Sequence, residues 1–522
     1  MSHSSGTGIK ALAPRSKFYK GPFGRLCKNL PPWSPPGVPS EKLHDHFVAF
    51  ANANMTERPN ELPQDLADDA EALDLEFGSK DVPAGYTYFG QFVDHDITFD
   101  PTPLGVRVSD PNALDNFRTP RLDLDCVYGT GPSDQPFMYE KDGQFRIGKI
   151  DGTNIPDLPR TPAPHSRAII GDMRNDENSI VAQVQLAFLL AHNRLVRQAK
   201  KEGLPNPFMA ARRTLTWLYQ WIVWHDFLDR VTINDVWNTA LKKVTHPDDR
   251  VEWDAGLSSI YDWKNTPFMP IEFAVAAYRF GHSMVRNSYQ TNFAHNKLDR
   301  IPLFANTTSA EQDVDADPQV EPDLRGFQPL RIETAIQWDW FLAMSTSVVG
   351  QFPQMARKID TQLANALLFL GENDADPNSV ENKLAARNLI RGVDMELPSG
   401  RDVAKCLGVT GKNPLSKGEP EALWFYILKE AQRNKGRLGR LGSTIVCAVF
   451  AGLLKGDPMS WINMDPKWEP ETDPLLTAVR NDADDPVDLN QDFESSNSLT
   501  VDWGLPTIIR LAGLPSDGLA SI

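Results

Sequence analysis

Long apolar runs are missing from this sequence, and cysteine is scarce. The longest apolar stretch, Ile180 to Ala191, is interrupted by Gln183 and Gln185. It falls short of the roughly 18–20 residues that a membrane-spanning helix needs, so no membrane span is expected. The first thirty residues hold no continuous apolar segment, so no secretory signal is expected. A soluble, cytoplasmic protein is the default, with non-classical export left open. The four cysteines, Cys27, Cys126, Cys406 and Cys447, lie far apart. That spacing fits neither a disulfide framework nor a paired-cysteine zinc site. Positive charge is also short: 53 Lys and Arg face 69 Asp and Glu, a net charge of -16. Such a chain repels phosphate backbones and anionic lipid, so nucleic acid is not an expected partner. Strand-like alternation is sparse, and no internal repeat is visible.

What is present is helical periodicity. From about Ser179 to Lys200 the apolar residues Val181, Val184, Phe188, Ala191 and Leu195 share one face of a helix. Similar patterns predict helices over Pro207–Asp229, Pro270–Arg286, Glu333–Val349 and Ser443–Leu454. The fold class is therefore mainly α-helical with few short strands. Residues 1–80 read as an extended arm packing on the core, because Pro31-Pro32-Trp33-Ser34-Pro35-Pro36 can continue neither a helix nor a central strand. Residues 81–470 form the main domain, and 471–522 an acidic, partly irregular tail. Asn306–Gly326 and Val479–Ser498 read as loops, too polar to fold alone.

Four segments carry groups suited to chemistry. In Gly90-Gln91-Phe92-Val93-Asp94-His95-Asp96, a helix puts Gln91 and His95 on one face with Asp94 beside it. Asp96 lies about 200° around from Asp94 and points away. In Gly171-Asp172-Met173-Arg174-Asn175-Asp176-Glu177, Arg174 and Glu177 are three apart and can face one ligand, although acids in a first turn also simply favour the helix dipole. Tyr278-Arg279-Phe280-Gly281-His282 places a histidine in an apolar stretch, where a core role is the commoner one. Asn388-Leu389-Ile390-Arg391, running on to Leu397-Pro398, is uninformative alone.

Together, and in this order, the four segments resemble the motifs of the animal-type haem peroxidases of the peroxidase–cyclooxygenase superfamily, a likeness covering roughly residues 80 to 470. The resemblance implies a helical peroxidase fold with haem b buried between distal and proximal helices. It implies His95 as the distal acid–base group, Arg174 as the guanidinium that stabilises charge on the departing oxygen, and Gln91 near a halide site. His282 is implied as the iron ligand, Asn388 as the acceptor for its second nitrogen, and Arg391 as a partner of a haem propionate. Asp94 and Glu177 match positions that form ester bonds to haem, while Asn178 stands where a further sulfonium link would need methionine. By resemblance, Thr119, Arg121, Asp123 and Asp125 match a calcium loop. Side chains 119, 123 and 125 would alternate onto one side of an extended segment and, with Asp96, offer the oxygen shell that calcium prefers.

The expected partners are hydrogen peroxide and a small organic or halide donor. Fatty-acid dioxygenases of the same superfamily carry a radical-forming tyrosine three residues before the proximal histidine. Here that residue is Arg279, and Tyr278 is rotated about 100° away on a helix, so a peroxidase is preferred. A reading from another class also stands: His44-Asp45-His46 with Asp94-His95-Asp96 could form a non-haem metal site for hydrolysis.

Overall fold

The computed structural model describes residues 23–57, 70–99, 116, 118–263, 268–292, 300–304, 323–344, 352–368, 370, 380–489, 499 and 501–514. Its framework helices are α1 (Leu43–Asn54), α2 (Gly85–Ile97), α3 (Ser179–Lys201), α4 (Pro207–Ile222), α5 (Leu384–Asp394), α6 (Leu423–Arg433), α7 (Arg440–Gly456) and α8 (Leu505–Ala512). Strands among the described residues are short and pair only in twos. Phe23–Gly24 lies parallel to Met269–Pro270, and Gly78–Pro83 antiparallel to Met355–Arg357.

Helix α3 forms where the periodicity places it. Asn178 caps it, its side-chain oxygen accepting from the N–H groups of Ile180 (3.1 Å) and Val181 (2.9 Å). Lys200 and Lys201 sit at its carbonyl end, where positive charge is favourable. It is buried along most of its length and packs on α2, α4 and α8. Phe92 of α2 stacks on Phe188 of α3 at 4.5 Å, and Tyr219 of α4 closes edge-on against both.

Helix α4 leads into a π turn, Val223–Phe227, and a last helical turn, Leu228–Val231. The π turn brings Asp226 inward, where it accepts from Tyr86 (2.6 Å), Arg230 (2.6 Å) and the backbone of Leu505 (2.8 Å). One buried carboxylate thus ties the start of α2 to the start of α8. The next residue, Phe227, wedges between Phe89 of α2 and the rings of Tyr278 and Phe280.

Three expectations fail. The stretch Pro270–Arg286 is not one α-helix but a π turn, Glu272–Ala276, followed by a 3-10 helix, Ala277–Met284. The Arg279 side chain donates to the Ala274 carbonyl (3.2 Å), taking an acceptor that a regular ladder would use. The described part of Glu333–Val349 forms only 3-10 turns, Ile332–Thr334 and Trp338–Trp340. There Thr291 donates to the Glu333 carbonyl (2.6 Å), and the Ile336 N–H donates to Gln183 (2.7 Å), so side chains from elsewhere take the helix-forming groups. Finally, Cys27 and Cys406 form a disulfide across 379 residues, whereas the spacing suggested no pairing.

That disulfide belongs to a strap. The N–H groups of Leu26 and Cys27 donate to buried Glu272 (3.0 and 3.1 Å), and Arg25 donates to the carbonyls of Met395 (3.0 Å) and Glu396 (2.9 Å). The Trp33 N–H donates to the Leu397 carbonyl (2.9 Å). The C-terminal stretch contributes Pro474–Arg480 and α8, whose apolar face is buried on α3. Most of Asn306–Gly326, and residues 490–498, lie outside the described residues. No helix among the described residues is long and apolar enough to cross a membrane.

Candidate active site

Packing aims the polar face of α2. Phe89, Phe92 and Val93 are buried in the core, leaving Gln91, Asp94 and His95 on the other side of the helix. Gly90 is required by close approach: a Cβ there would lie 2.9 Å from the Phe227 ring.

His95 is buried. Its Nδ1 is 2.7 Å from Asn175 Oδ1, and its Nε2 is 3.9 Å from Glu177. Burial, and then the positive charge of Arg174, hold its pKa below the ordinary histidine value, so the ring stays neutral; Glu177, Asp172 and Asp94 oppose this. Gln91 donates to Glu177 and accepts from Asn178 (3.1 Å). Gln91, His95 and Glu177 therefore meet.

Arg174 turns elsewhere than expected. Its guanidinium pairs with Asp172 (2.7 Å) and donates to the carbonyls of His95 (3.0 Å) and Thr98 (2.7 Å), lying over the Phe99 ring. It closes the C-terminal end of α2 beside His95 rather than sharing a ligand with Glu177. Asp94 is half-buried and accepts from Thr98 (3.0 Å).

On the facing side, the 3-10 helix presents His282. Its Nδ1 lies 2.8 Å from Asn388 Nδ2 on α5. Burial, then Arg279 and Arg387, push its imidazole down to about 3, so it stays neutral. A Cβ at the neighbouring Gly281 would meet nothing within 4 Å, so the turn borders open space. Arg391 stands three residues after Asn388 on the same helix face. The two sides touch through Tyr278, whose hydroxyl donates to the Gly90 carbonyl of α2 (3.2 Å).

Behind α2, Asp96 is fully buried and does point away from the His95 side. It accepts from the N–H groups of Leu124 (3.2 Å) and Cys126 (3.3 Å). Thr119 donates to Asp123 (3.0 Å), while Arg121 pairs with Asp457 (3.6 Å). The loop is not the extended segment expected. Leu124 is left-handed (φ 56°), a short helix begins at Asp125, and the Asp125 carboxylate turns to Arg118. Burial, and then the charge of Asp125, raise the pKa of Asp96 and Asp123, with Asp96 adding to the effect on Asp123. Among the described residues no group of three or more His, Cys, Asp or Glu is poised to hold a metal ion. That applies to the calcium loop as it stands and to the alternative hydrolase site, where His44 and Asp45 are exposed on α1.

Sequence reasoning passed over Asn175 and Gln185, both fully buried. The signal was present: Gln183 and Gln185 are the polar breaks in the longest apolar run. Glu272 left the same kind of trace, as the charged break in the apolar run from Phe268 to Tyr278.

The animal haem peroxidase family model matches residues 105–414, more than half of the chain. The span includes Arg174, His282 and Asn388; the helix bearing His95 precedes it. A peroxidase-like protein of Margaritifera margaritifera is 26% identical over 469 residues, covering 73% of this chain and 55% of that protein. A chorion peroxidase of Drosophila melanogaster is 28% identical over 369 residues, covering 64% and 41%. The chain thus spans about half the length of these curated relatives. Among solved structures, peroxidase A of Dictyostelium discoideum superposes with a TM-score of 0.56 at 16% identity, covering 85% of this chain and 90% of that one. A fatty acid alpha-dioxygenase of Arabidopsis thaliana gives 0.57 at 15% identity, covering 94% and 83%. The fold is the helical one these proteins share, and the chain belongs to the animal haem peroxidase family.

Proposed function

We propose that this protein is a haem peroxidase that reduces hydrogen peroxide and oxidises a small organic or halide donor. The observation that carries the reading is a pair of neutral imidazoles on facing elements, His95 buried and His282 half-buried. His95 and His282 each meet an asparagine at Nδ1, and Tyr278 joins their elements through Gly90.

The residues present fit haem. His282 is a neutral imidazole beside open space, with Arg279, Arg387 and Arg391 near it to meet carboxylates. Its Nε2 would bind the iron. Asn388, with its amide turned so that the oxygen faces the ring, would accept the Nδ1 proton and make the ligand more basic. Arg279 and Arg391 would hold the propionates. Bound there, haem supplies the iron at which the O–O bond is cleaved and the oxidising equivalents are held. His95 then takes a proton from peroxide at Nε2 and returns it to the departing oxygen, which a neutral ring can do. Arg174, beside His95, lends positive charge as negative charge develops. Asp94 and Glu177 would supply the carboxylates for ester links to haem, and Gln91, bridging Glu177 and Asn178, would lie near a halide.

Calcium at Thr119, Arg121, Asp123, Asp125 and Asp96 is also proposed. Its support is the crowding of Asp96, Asp123 and Asp125, whose repulsion with burial raises the pKa of Asp96 and Asp123 and which a cation would offset. Asp125 would have to leave Arg118, and elemental analysis showing no calcium in active protein would remove the claim. The Cys27–Cys406 disulfide favours an oxidising compartment over the cytoplasmic default.

A dioxygenase is disfavoured because Arg279 takes the radical tyrosine's place and the Tyr278 hydroxyl is engaged with Gly90. Haem-reconstituted protein tests the choice. Peroxide-dependent oxidation of guaiacol or iodide is expected. Oxygen uptake on palmitate, without oxidation of either donor, would reverse the assignment.

A further inference from the structure

We infer that Asn175, backed by Gln185, is a positioning residue that fixes which nitrogen of His95 carries the proton. Asn175 is fully buried on the short 3-10 helix Met173–Asp176, and Gln185 is fully buried on α3. The three side chains form a line. The Asn175 amide nitrogen donates to Gln185 Oε1 at 2.8 Å, which leaves its amide oxygen 2.7 Å from His95 Nδ1. An amide oxygen can only accept, so Nδ1 must hold the proton. In a neutral imidazole the other nitrogen, Nε2, then keeps its lone pair. Nε2 faces the side where Glu177 lies, 3.9 Å away. The chain of amides therefore sets the ring as a base directed into the site and prevents a ring flip that would bury the lone pair.

This deepens the peroxidase reading and rests on it for the use made of the lone pair, but the tautomer can be observed without haem. Two features argue for a built device. First, Gln185 stands in the longest apolar run of the sequence, where a polar side chain is costly to bury, and its one side-chain hydrogen bond among the described residues is the one its Oε1 accepts from Asn175, its Nε2 having no partner there. Second, Asn175 sits one residue from Arg174, whose guanidinium donates to the His95 carbonyl (3.0 Å). The backbone and the ring of His95 are thus held from one short segment. The reverse chain, with Gln185 donating to Asn175 and Asn175 to Nδ1, would put the proton on Nε2. Gln185→Glu separates the two, because a carboxylate has no proton with which to start the reverse chain.

The test is nitrogen NMR on the full chain carrying 15N-labelled histidine, both haem-free and as the diamagnetic ferrous carbon monoxide complex. The measurement is made where the ring is neutral, with the His95 signals assigned by their loss in His95→Gln. Wild type, Gln185→Glu and Asn175→Asp should all show a protonated Nδ1 and an unprotonated Nε2, since each keeps an acceptor before Nδ1. Asn175→Leu should lose that pattern. Its reaction with peroxide should slow roughly tenfold or more, with the Soret spectrum given by His282 unchanged. A protonated Nε2 in wild type overturns the inference whatever the variants do, and so does an unchanged pattern in folded Asn175→Leu. Failure of the wild type to bind haem would instead count against the peroxidase reading and leave the tautomer result standing.

Discussion

Burial treats three histidines alike, and only their neighbours separate them. His192, His225 and His282 are pushed down to about 3, about 4 and about 3, in each case first by burial. His192 is spent on structure, between the Tyr128 hydroxyl (3.0 Å) and the Gly143 carbonyl (3.2 Å). His282 meets the Asn388 side chain and follows Gly281, whose Cβ position is open. A sequence shows neither setting, so His282 was legible only through its motif. Gln91 and His95 were legible as a pair, because helical spacing fixes which side chains share a face, whereas their meeting with Glu177 of another segment was not. Arg174 and Asp125 turn to Asp172 and Arg118, partners that spacing along the chain does not show, because long or charged side chains follow their partners. A pH effect follows from the buried rings. In the unfolded chain each charges near 6.5, while the folded protein keeps it neutral to well below that. Between those values the unfolded state binds more protons, so stability falls as pH drops below about 6.5. Denaturant unfolding of haem-free His192→Gln should lose less stability than wild type between about pH 6.5 and pH 4. An equal loss would mean that His192 is not buried neutral.

Among the elements, the helices with strong apolar periodicity formed close to where the sequence places them. α3 and α7 are the clearest cases. The failures, at Pro270–Arg286 and Glu333–Val349, lie where side chains take backbone hydrogen bonds: Arg279 within the first stretch, and Thr291 and Gln183 from elsewhere at the second. Periodicity registers apolar spacing and not such competition. The π turn after α4 is similar: its reason is Asp226, whose partners come from α2, Arg230 and α8. The spacing of α2 against the 3-10 helix Ala277–Met284 depends on Phe227 fitting against Gly90. Gly90→Ala would place a Cβ 2.9 Å from that ring. The added methyl should cost about 1–3 kcal/mol and should disturb the Tyr278 bond to the Gly90 carbonyl. Thermal or denaturant unfolding checks it; a variant as stable as wild type would show that the wedge yields freely.

Across the whole molecule, the N-terminal strap links parts that the sequence presents as unrelated. It pairs with Met269–Pro270, donates to Glu272 ahead of His282, holds the carbonyls after Asn388, and closes on Cys406. His282 and Asn388 are therefore braced by one segment. An arm was legible from its prolines, but its path and its disulfide were not, because cysteine spacing is silent when the partners lie at opposite ends of a domain. Cys27→Ser should lower unfolding stability by about 2–4 kcal/mol, and wild type in excess reductant should move toward the variant. If neither shifts the unfolding midpoint, the strap is held by its hydrogen bonds alone.

The account turns on two histidines with opposite duties, and electron paramagnetic resonance of the ferric haem-reconstituted protein reads them directly. His95→Ala should keep haem and its high-spin ferric signal while reacting slowly with peroxide. His282→Ala should lose the signal or the haem itself. A His282→Ala protein with an unaltered ferric signal, or loss of that signal in His95→Ala instead, would contradict the assignment of the two faces.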